Sequence, residues 1–308
     1  MKIAFVGAAG YGNVGDDTYP LVFQEQFRDA ELLFFNSDLP AEIPSDLDLI
    51  VLGGGGIIYN SATPDESPSP HFRCMQFYMD HAIASGTPWG FLSCGLQLRA
   101  HRDEHFRADL APWTPYLQQA DFITVRSPEC VQKIKEITGR QDGVSFFPDA
   151  AYLLRPPAAV SMPAGDRPML TLVPSGLINP HNLHTQHMVR LARSMNYEIV
   201  WMNMGAPVDD ARHLDDALLF EPTVRLLWNP DPVTAYTQIG ASRLVFSGRY
   251  HGMVFARVQG IPFYVPEDAP YKIRKEDLQA DPAGAWGHVE TLQAAMARVA
   301  RLGSGAGK

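Results

Sequence analysis

Short apolar runs alternate with longer helix-like stretches along this chain, and that alternation restricts it to a parallel, doubly wound α/β fold. The first half carries runs at Ile3–Val6, Leu32–Phe35, Leu49–Leu52, Trp89–Ser93, Phe122–Val125 and Ser145–Phe147, with helical segments at Tyr19–Arg28, Phe72–Ala84 and Pro128–Thr138. A Pro-rich stretch, Arg155–Pro163, breaks the pattern and reads as a linker. Alternation resumes with Met169–Val173, a helix near His187–Met195, Glu198–Trp201, a helix near Asp209–Leu218, Val224–Leu227, Arg243–Phe246, a helix over Met253–Gln259, and Ile261–Val265. A chain of 308 residues is too long for most single cores. The expected architecture is therefore two Rossmann-like domains facing a cleft. Residues 1–155 form the first, 156–168 the linker and 169–285 the second, and 286–308 supply a terminal helix (Gln293–Leu302) and a flexible tail.

Composition excludes several function classes. A formal net charge of -9 argues against a nucleic-acid binder, which needs clustered Lys and Arg. No run approaches the roughly 18 apolar residues of a membrane span, and no polybasic anchor stands out, although peripheral membrane contact stays open. The start, Met1–Gly7, has too short an apolar run for a signal peptide and reads as a first strand. Cys74, Cys94 and Cys130 are widely spaced without a metal-ligand pattern, which fits a reducing cytoplasm.

The densest chemical signal is Ser247-Gly-Arg-Tyr-His-Gly252, between the run ending at Phe246 and the helix from Met253. A strand–loop–helix–strand order puts Arg249 and His251 in a loop at the carboxyl end of a parallel strand, where open α/β sheets bind ligands. Arginine offers a planar fork for carboxylate or phosphate, and histidine moves a proton near neutral pH. The pair points to chemistry on an anionic substrate. Gly10-Tyr-Gly-Asn-Val-Gly15 matches G-x-G-x-x-G after the first strand, with Asp38 as the acid such a fingerprint asks for. It runs into Asp16-Asp17, however, where carboxylates would repel a pyrophosphate; either Asp is alternatively a helix cap. Gly53-Gly-Gly-Gly56 ends the third run and either lets backbone approach a ligand or makes a tight turn.

Taken in order, Asn13-Val-Gly-Asp16, the Gly-rich loop, Val125-Arg-Ser127, Phe147-Pro-Asp-Ala150, Ser247–Gly252, Gly260-Ile-Pro262 and Tyr271-Lys272 resemble the polysaccharide pyruvyl transferases over roughly residues 3–275. The resemblance implies a glycosyltransferase-B-like fold with no required metal or cofactor. It implies transfer of pyruvate from phosphoenolpyruvate to two hydroxyls of a sugar, free or in a lipid- or nucleotide-linked precursor, giving a cyclic ketal and phosphate. Arg249 and His251 match the family's Arg-x-His at the donor site, Arg126 a second donor-site arginine, and Asp16 the acidic residue of the first loop. The donor set taken from these motifs is Arg249, Arg126, Tyr250, Gly252, Gly12, Asn13, Gly15, Gly54 and Gly55. His251 is the candidate acid and Asp16 the candidate base. Acidic Asp17 after Asp16 departs from the pattern.

Alternatives stand beside each assignment. Arg126 also fits a pair with Glu129 one turn on. His181, His184 and His187 recur in steps of three, but metal binding is disfavoured without a carboxylate among them; His184, with His101 and Lys272, is a candidate acceptor contact. Trp113 and Tyr116 fit either sugar stacking or the core, and Cys94 fits buried packing. The competing enzyme class is a nucleotide-sugar glycosyltransferase of the same shape, although the helix after Gly252 offers Arg257 and no ribose-holding carboxylate. A nicotinamide-dependent oxidoreductase and a non-catalytic sugar-binding relative are weaker alternatives.

Overall fold

The computed structural model describes residues 1–36, 42–60, 68–97, 105–155, 167–175, 178–179, 181–206, 224–265, 293–294 and 296–303. Asp38, His101, Lys272, most of the Pro-rich linker and the helix expected at Asp209–Leu218 lie outside the described residues. Two compact units are present, each built on its own parallel sheet. One comprises Met1–Ala9, Tyr19–Leu153 and His288–Lys308; the other comprises Gly10–Thr18 and Leu154–Gly287.

The first unit holds β1 (Lys2–Val6), β2 (Glu31–Phe35), β3 (Leu49–Gly53), β4 (Trp89–Cys94), β5 (Phe122–Val125) and β6 (Val144–Phe146) in the order β2-β1-β3-β4-β5-β6. Every residue of β3, β4 and β5 is buried. That is why these strands read as continuous apolar runs rather than as alternating patterns. Helices α1 (Thr18–Gln26), α2 (Pro70–Ser85), α3 (Phe106–Leu110), α4 (Thr114–Gln119) and α5 (Pro128–Thr138) connect them. Local signals set the ends of the long ones. Ser69 and Ser127 accept from the Phe72 and Cys130 N–H groups, each followed by a proline at the first helical position. Gly86 and Gly139 close α2 and α5 in the left-handed region that glycine tolerates best. The core between α2, α4 and the sheet is aromatic, with Phe72 edge-on to Trp113 at 5.1 Å. Trp113 and Cys94 are fully buried, as packing residues.

The second unit holds β7 (Met169–Val173), β8 (Glu198–Asn203), β9 (Arg225–Trp228), β10 (Leu244–Ser247) and β11 (Phe263–Tyr264) in the order β11-β10-β7-β8-β9. Its helices are α6 (Leu183–Ser194), α7 (Pro232–Gly240) and α8 (Tyr250–Val258). α7 is absent from the expectations above, although Asp231 caps it by accepting from the Val233 and Thr234 N–H groups at 3.0 Å. Residues 296–303 are helical as α9.

In the first unit the chain leaves β1 for β2 on one side and returns to β3 on the other. In the second it runs β7 to β8 to β9, then crosses back to β10. Each reversal leaves a crevice at the strands' carboxyl ends, and ligands of open α/β sheets bind at such switch points. Gly7 and Gly53 meet at the first, where a Cβ on Gly7 would overlap the Gly53 carbonyl. The Ser247–Gly252 segment stands at the second.

Candidate functional site

At the β7/β10 switch point the turn from β10 into α8 is only two residues long. The Ser247 hydroxyl donates to the Arg249 carbonyl at 2.8 Å and accepts from the Arg249 N–H at 3.2 Å, fixing that turn. α8 starts at Tyr250, three residues earlier than the apolar pattern predicts, so His251 sits in its first helical turn rather than in a loop. Arg249 occupies the N-cap position, with extended backbone, and no side chain caps the helix. The guanidinium turns back toward β7, where Nε donates to the Pro174 carbonyl at 3.2 Å. Two glycines are required by close approach: a Cβ on Gly248 would overlap Ser175, and one on Gly252 would overlap the Ser247 hydroxyl. The positive end of α8 and a half-buried guanidinium thus share one spot, which suits an anion.

His251 is 8 % exposed. Tyr250 stands edge-on to its ring at 5.5 Å, and Phe255 lies 6.4 Å away. A further neighbour comes from the far end of the sequence. The loop Gly10–Thr18 belongs to this unit, with the Val14 N–H donating to the Met204 carbonyl at 3.0 Å. Gly15 lies flat against the imidazole, so close that a Cβ there would overlap Nδ1. The half-buried Asp16 follows it directly. The loop is held by its own side chains: Asn13 Oδ1 accepts from the Gly15 N–H at 3.2 Å, and Asp17 accepts from the Gly10 N–H. Asp17 therefore braces the loop, and Gly10 and Gly12 supply its left-handed turns.

A second polar cluster lies at the carboxyl ends of β3, β4 and β5 in the first unit. Asp149 is completely buried and Arg126 has 7 % of its side chain exposed. Arg126 Nη1 donates to Asp149 Oδ2 at 2.9 Å. The Tyr19 hydroxyl donates to the same oxygen at 2.9 Å, and the Ala151 N–H to Oδ1 at 3.0 Å. Glu129, the partner considered for Arg126 from sequence, instead pairs with Lys133 at 3.1 Å. Gly54, Gly55 and Gly56 make room for this cluster. A Cβ on Gly54 would enter the Tyr19 ring, and one on Gly56 would crowd Arg126 Nη2 at 3.1 Å. Gly54 and Gly55 also hold positive φ angles of 77° and 81°. Ser93, at φ 56°, is a rare left-handed serine beside them, its hydroxyl donating to the Pro148 carbonyl at 2.7 Å. Burial pushes the adjacent Cys94 thiol up to about 12, which removes it as a nucleophile.

The structure thus brings together His251, Arg249, Tyr250, Gly252, Gly15 and Asp16 in the second unit, with Gly12 and Asn13 in the same loop. It gathers Arg126, Gly54 and Gly55 in the first. His184 lies apart, on the exposed side of α6. Among the described residues no three His, Cys, Asp or Glu side chains cluster as metal ligands. Sequence reasoning left two groups unassigned. Asp149, quoted only within a motif, and Tyr19 carry the network around Arg126. Asn203, the last residue of β8, is fully buried with neither end of its amide bonded. A buried orphan amide next to the strand end that receives the Gly10–Thr18 loop is an unusual expense in stability.

Two Rossmann-like units on parallel sheets define the class as glycosyltransferase-B-like, and solved structures agree. HepE of Anabaena, crystallised with UDP, superposes with a TM-score of 0.55 at 13 % identity, covering 97 % of this chain and 99 % of that one. A UDP-N-acetylglucosamine 2-epimerase from Neisseria meningitidis, bound to UDP-GlcNAc, gives 0.55 at 10 % identity over 98 % and 94 % of the two chains. The corresponding epimerase of Methanocaldococcus jannaschii gives 0.57 at 7 % identity over 95 % and 93 %. At such identities the likeness is one of fold. A search of curated proteins gives no match. The polysaccharide pyruvyl transferase family profile matches residues 14–265, and the chain belongs to that family. The match runs from the Gly10–Thr18 loop through Arg126 and Asp149 to the helix that carries His251. No helix among the described residues is long and apolar enough to cross a membrane.

Proposed function

We propose that this chain transfers the pyruvyl group of phosphoenolpyruvate to two hydroxyls of one saccharide, forming a cyclic ketal and releasing phosphate. One observation carries the reading: Arg249 and His251 sit together at the β7/β10 switch point, on the positive end of α8, within the segment the family profile covers. The donor bears a carboxylate and a phosphate. Arg249 and the first-turn N–H groups of α8 bind one of them. In the same reading Arg126 and the Gly54–Gly55 backbone offer a further anion contact, with Asp149 holding the guanidinium in place.

The chemistry balances as follows. The donor's methylene carbon takes a proton, positive character develops at the neighbouring carbon, and a sugar hydroxyl attacks it. A second hydroxyl of the same sugar displaces phosphate. Of the two hydroxyl protons, one replaces the proton given to the new methyl group and the other leaves with phosphate. His251 is the proton donor, kept in one orientation by Gly15 and Tyr250. Asp16 accepts a hydroxyl proton, a role carboxylates fill within hydrogen-bond reach. The unpaired amide of Asn203 offers two N–H donors and an acceptor oxygen, a mixed set that matches a hydroxyl better than a carboxylate. No metal or further cofactor is needed for these steps. Three reduced thiols fit a cytoplasmic location.

The competing reading, a nucleotide-sugar glycosyltransferase, draws on the UDP and UDP-GlcNAc held by the fold neighbours. It is disfavoured because α8 carries no carboxylate to hold a ribose. Calorimetric titration with phosphoenolpyruvate, UDP, GDP and NADH separates the readings. Saturable binding of phosphoenolpyruvate alone, lost in Arg249→Ala, is the expected result. Binding of a nucleotide without phosphoenolpyruvate would overturn it.

A further inference from the structure

The three most exposed large apolar side chains among the described residues lie on one helix or its cap. Leu183 is 75 % exposed, Met195 57 % and Leu191 49 %. They fall four residues apart in one row along α6, Leu183, His187, Leu191 and Met195, so they line a single stripe rather than scatter. The opposite side of α6 is committed to the core of its unit through Thr185, Val189 and Ala192. On α6 and its two caps every charged or ionisable group is basic. Arg190 and Arg193 flank it, and His181, His184 and His187 stand beside or within it, all exposed. Sequence from Arg167 to Tyr197 contains no Asp or Glu, in a chain whose net charge is -9. The next acid, Glu198, is paired with Arg225 at 2.8 Å.

Exposed apolar side chains set beside arginines, on a helix that carries no acid, describe a surface matched to an anionic bilayer. Apolar residues enter the headgroup boundary while arginines meet phosphates. A polar protein partner would not favour so exposed a leucine, and this basic patch stands out against the acidic balance of the chain. We propose that the solvent face of α6 docks on the surface of an anionic membrane. It escapes notice in the sequence because its cations are spread over helical turns rather than forming a run. Docking there would hold the enzyme where a lipid-linked saccharide is presented. That consequence rests on the proposed transfer reaction; the docking itself does not.

The test is co-sedimentation of the full chain with vesicles of phosphatidylcholine alone or mixed with phosphatidylglycerol, neither of which carries a saccharide acceptor. Two paired variants are compared, Leu183→Ser with Leu191→Ser and Arg190→Glu with Arg193→Glu; all four positions are exposed, and circular dichroism checks their fold. Expected is binding to the mixed vesicles about tenfold or more above phosphatidylcholine, weakened by salt and lost in both variants. Wild-type protein that ignores both vesicles would sink the proposal, as would binding unchanged in either variant. Light scattering that shows a dimer broken by the leucine pair, with no vesicle binding, would assign the stripe to self-association instead. Phosphoenolpyruvate binding is titrated by calorimetry in parallel, so protein that binds vesicles but not phosphoenolpyruvate fails the transfer reading alone.

Discussion

At the residue scale the site depends on contacts between groups far apart in sequence. Gly15 has no conformational need to be glycine, since its φ is not left-handed; it is small because the His251 ring occupies the space a Cβ would take. Gly15→Ala should therefore displace the imidazole and lower kcat of phosphoenolpyruvate-dependent phosphate release by about 10²-fold, the cost of misplacing a catalytic group by roughly 1 Å. Melting temperature should also fall by a few degrees, because overpacking a buried contact costs about 1–3 kcal/mol, and an unaltered kcat would remove His251 from the mechanism. Asp149 is the opposite case, a buried charge whose loss strands its partner. Asp149→Asn leaves Arg126 desolvated and should cost about 3–5 kcal/mol by urea denaturation. Tyr19→Phe, which deletes one hydrogen bond to that buried carboxylate, should cost less, about 1.5–3 kcal/mol. Cys94 gives a pH signature. Burial raises its folded pKa to about 12, whereas an unfolded cysteine titrates near about 8.5. The folded state keeps the proton that the unfolded state gives up, so stability is full below pH ~8.5 and falls as pH rises toward ~12. Cys94→Ala should show a shallower loss of melting temperature between pH 8 and 11 than the parent chain, and the native thiol should resist alkylation at pH 8.

At the element scale, what was legible follows from local chemistry. β5, α5 and β7 occupy the residues the sequence assigns them, because Ser127-Pro128 and Gly139 punctuate α5 and the two strands are uninterrupted apolar runs. α7 was illegible for a physical reason. Ala235, Tyr236, Thr237, Gln238 and Ile239 are all buried, so the helix has no polar face to reveal a 3.6-residue period. Only its start is written in sequence, as Asp231-Pro232. Asp231 bonds the Thr234 hydroxyl and two backbone N–H groups, which hold its carboxyl below the usual range against the opposing effect of burial. Asp231→Ala should cost about 1 kcal/mol, within the 0.5–2 typical of caps, and Asp231→Asn much less, read as shifts in denaturation midpoint at constant m-value. The glycine loops were likewise visible in the sequence as loops. That one of them packs on His251 and the other on Arg126 was not, because those contacts join segments whose sequences carry no sign of each other.

At the scale of the whole molecule, the division of the chain into units does not follow its linear order. A cut after residue 155 separates Gly10–Thr18 from the unit it belongs to and His288–Lys308 from the other. The terminal helix α9 is integral to the first unit. Met296 and Val299 are each 2 % exposed, Val299 and Arg298 line a small cavity with Phe122, Thr124 and Ser145, and Gly303 abuts Met1 and Leu49. Burying a methionine and a valine stabilises by about 1.5–3 kcal/mol each, an upper figure because unfolded chains already hide some apolar surface. A fragment ending at residue 155 should therefore melt well below the same fragment with residues 286–308 appended through a flexible linker. The expected gap is several degrees, since each kcal/mol moves the midpoint of a domain this size by about 2–4 °C. The complementary fragment, residues 156–285, lacks the loop that packs on His251 and should bind phosphoenolpyruvate weakly, with affinity recovered on adding back the intact first fragment. Equal melting of the two N-terminal fragments would show that α9 contributes nothing to the unit it covers.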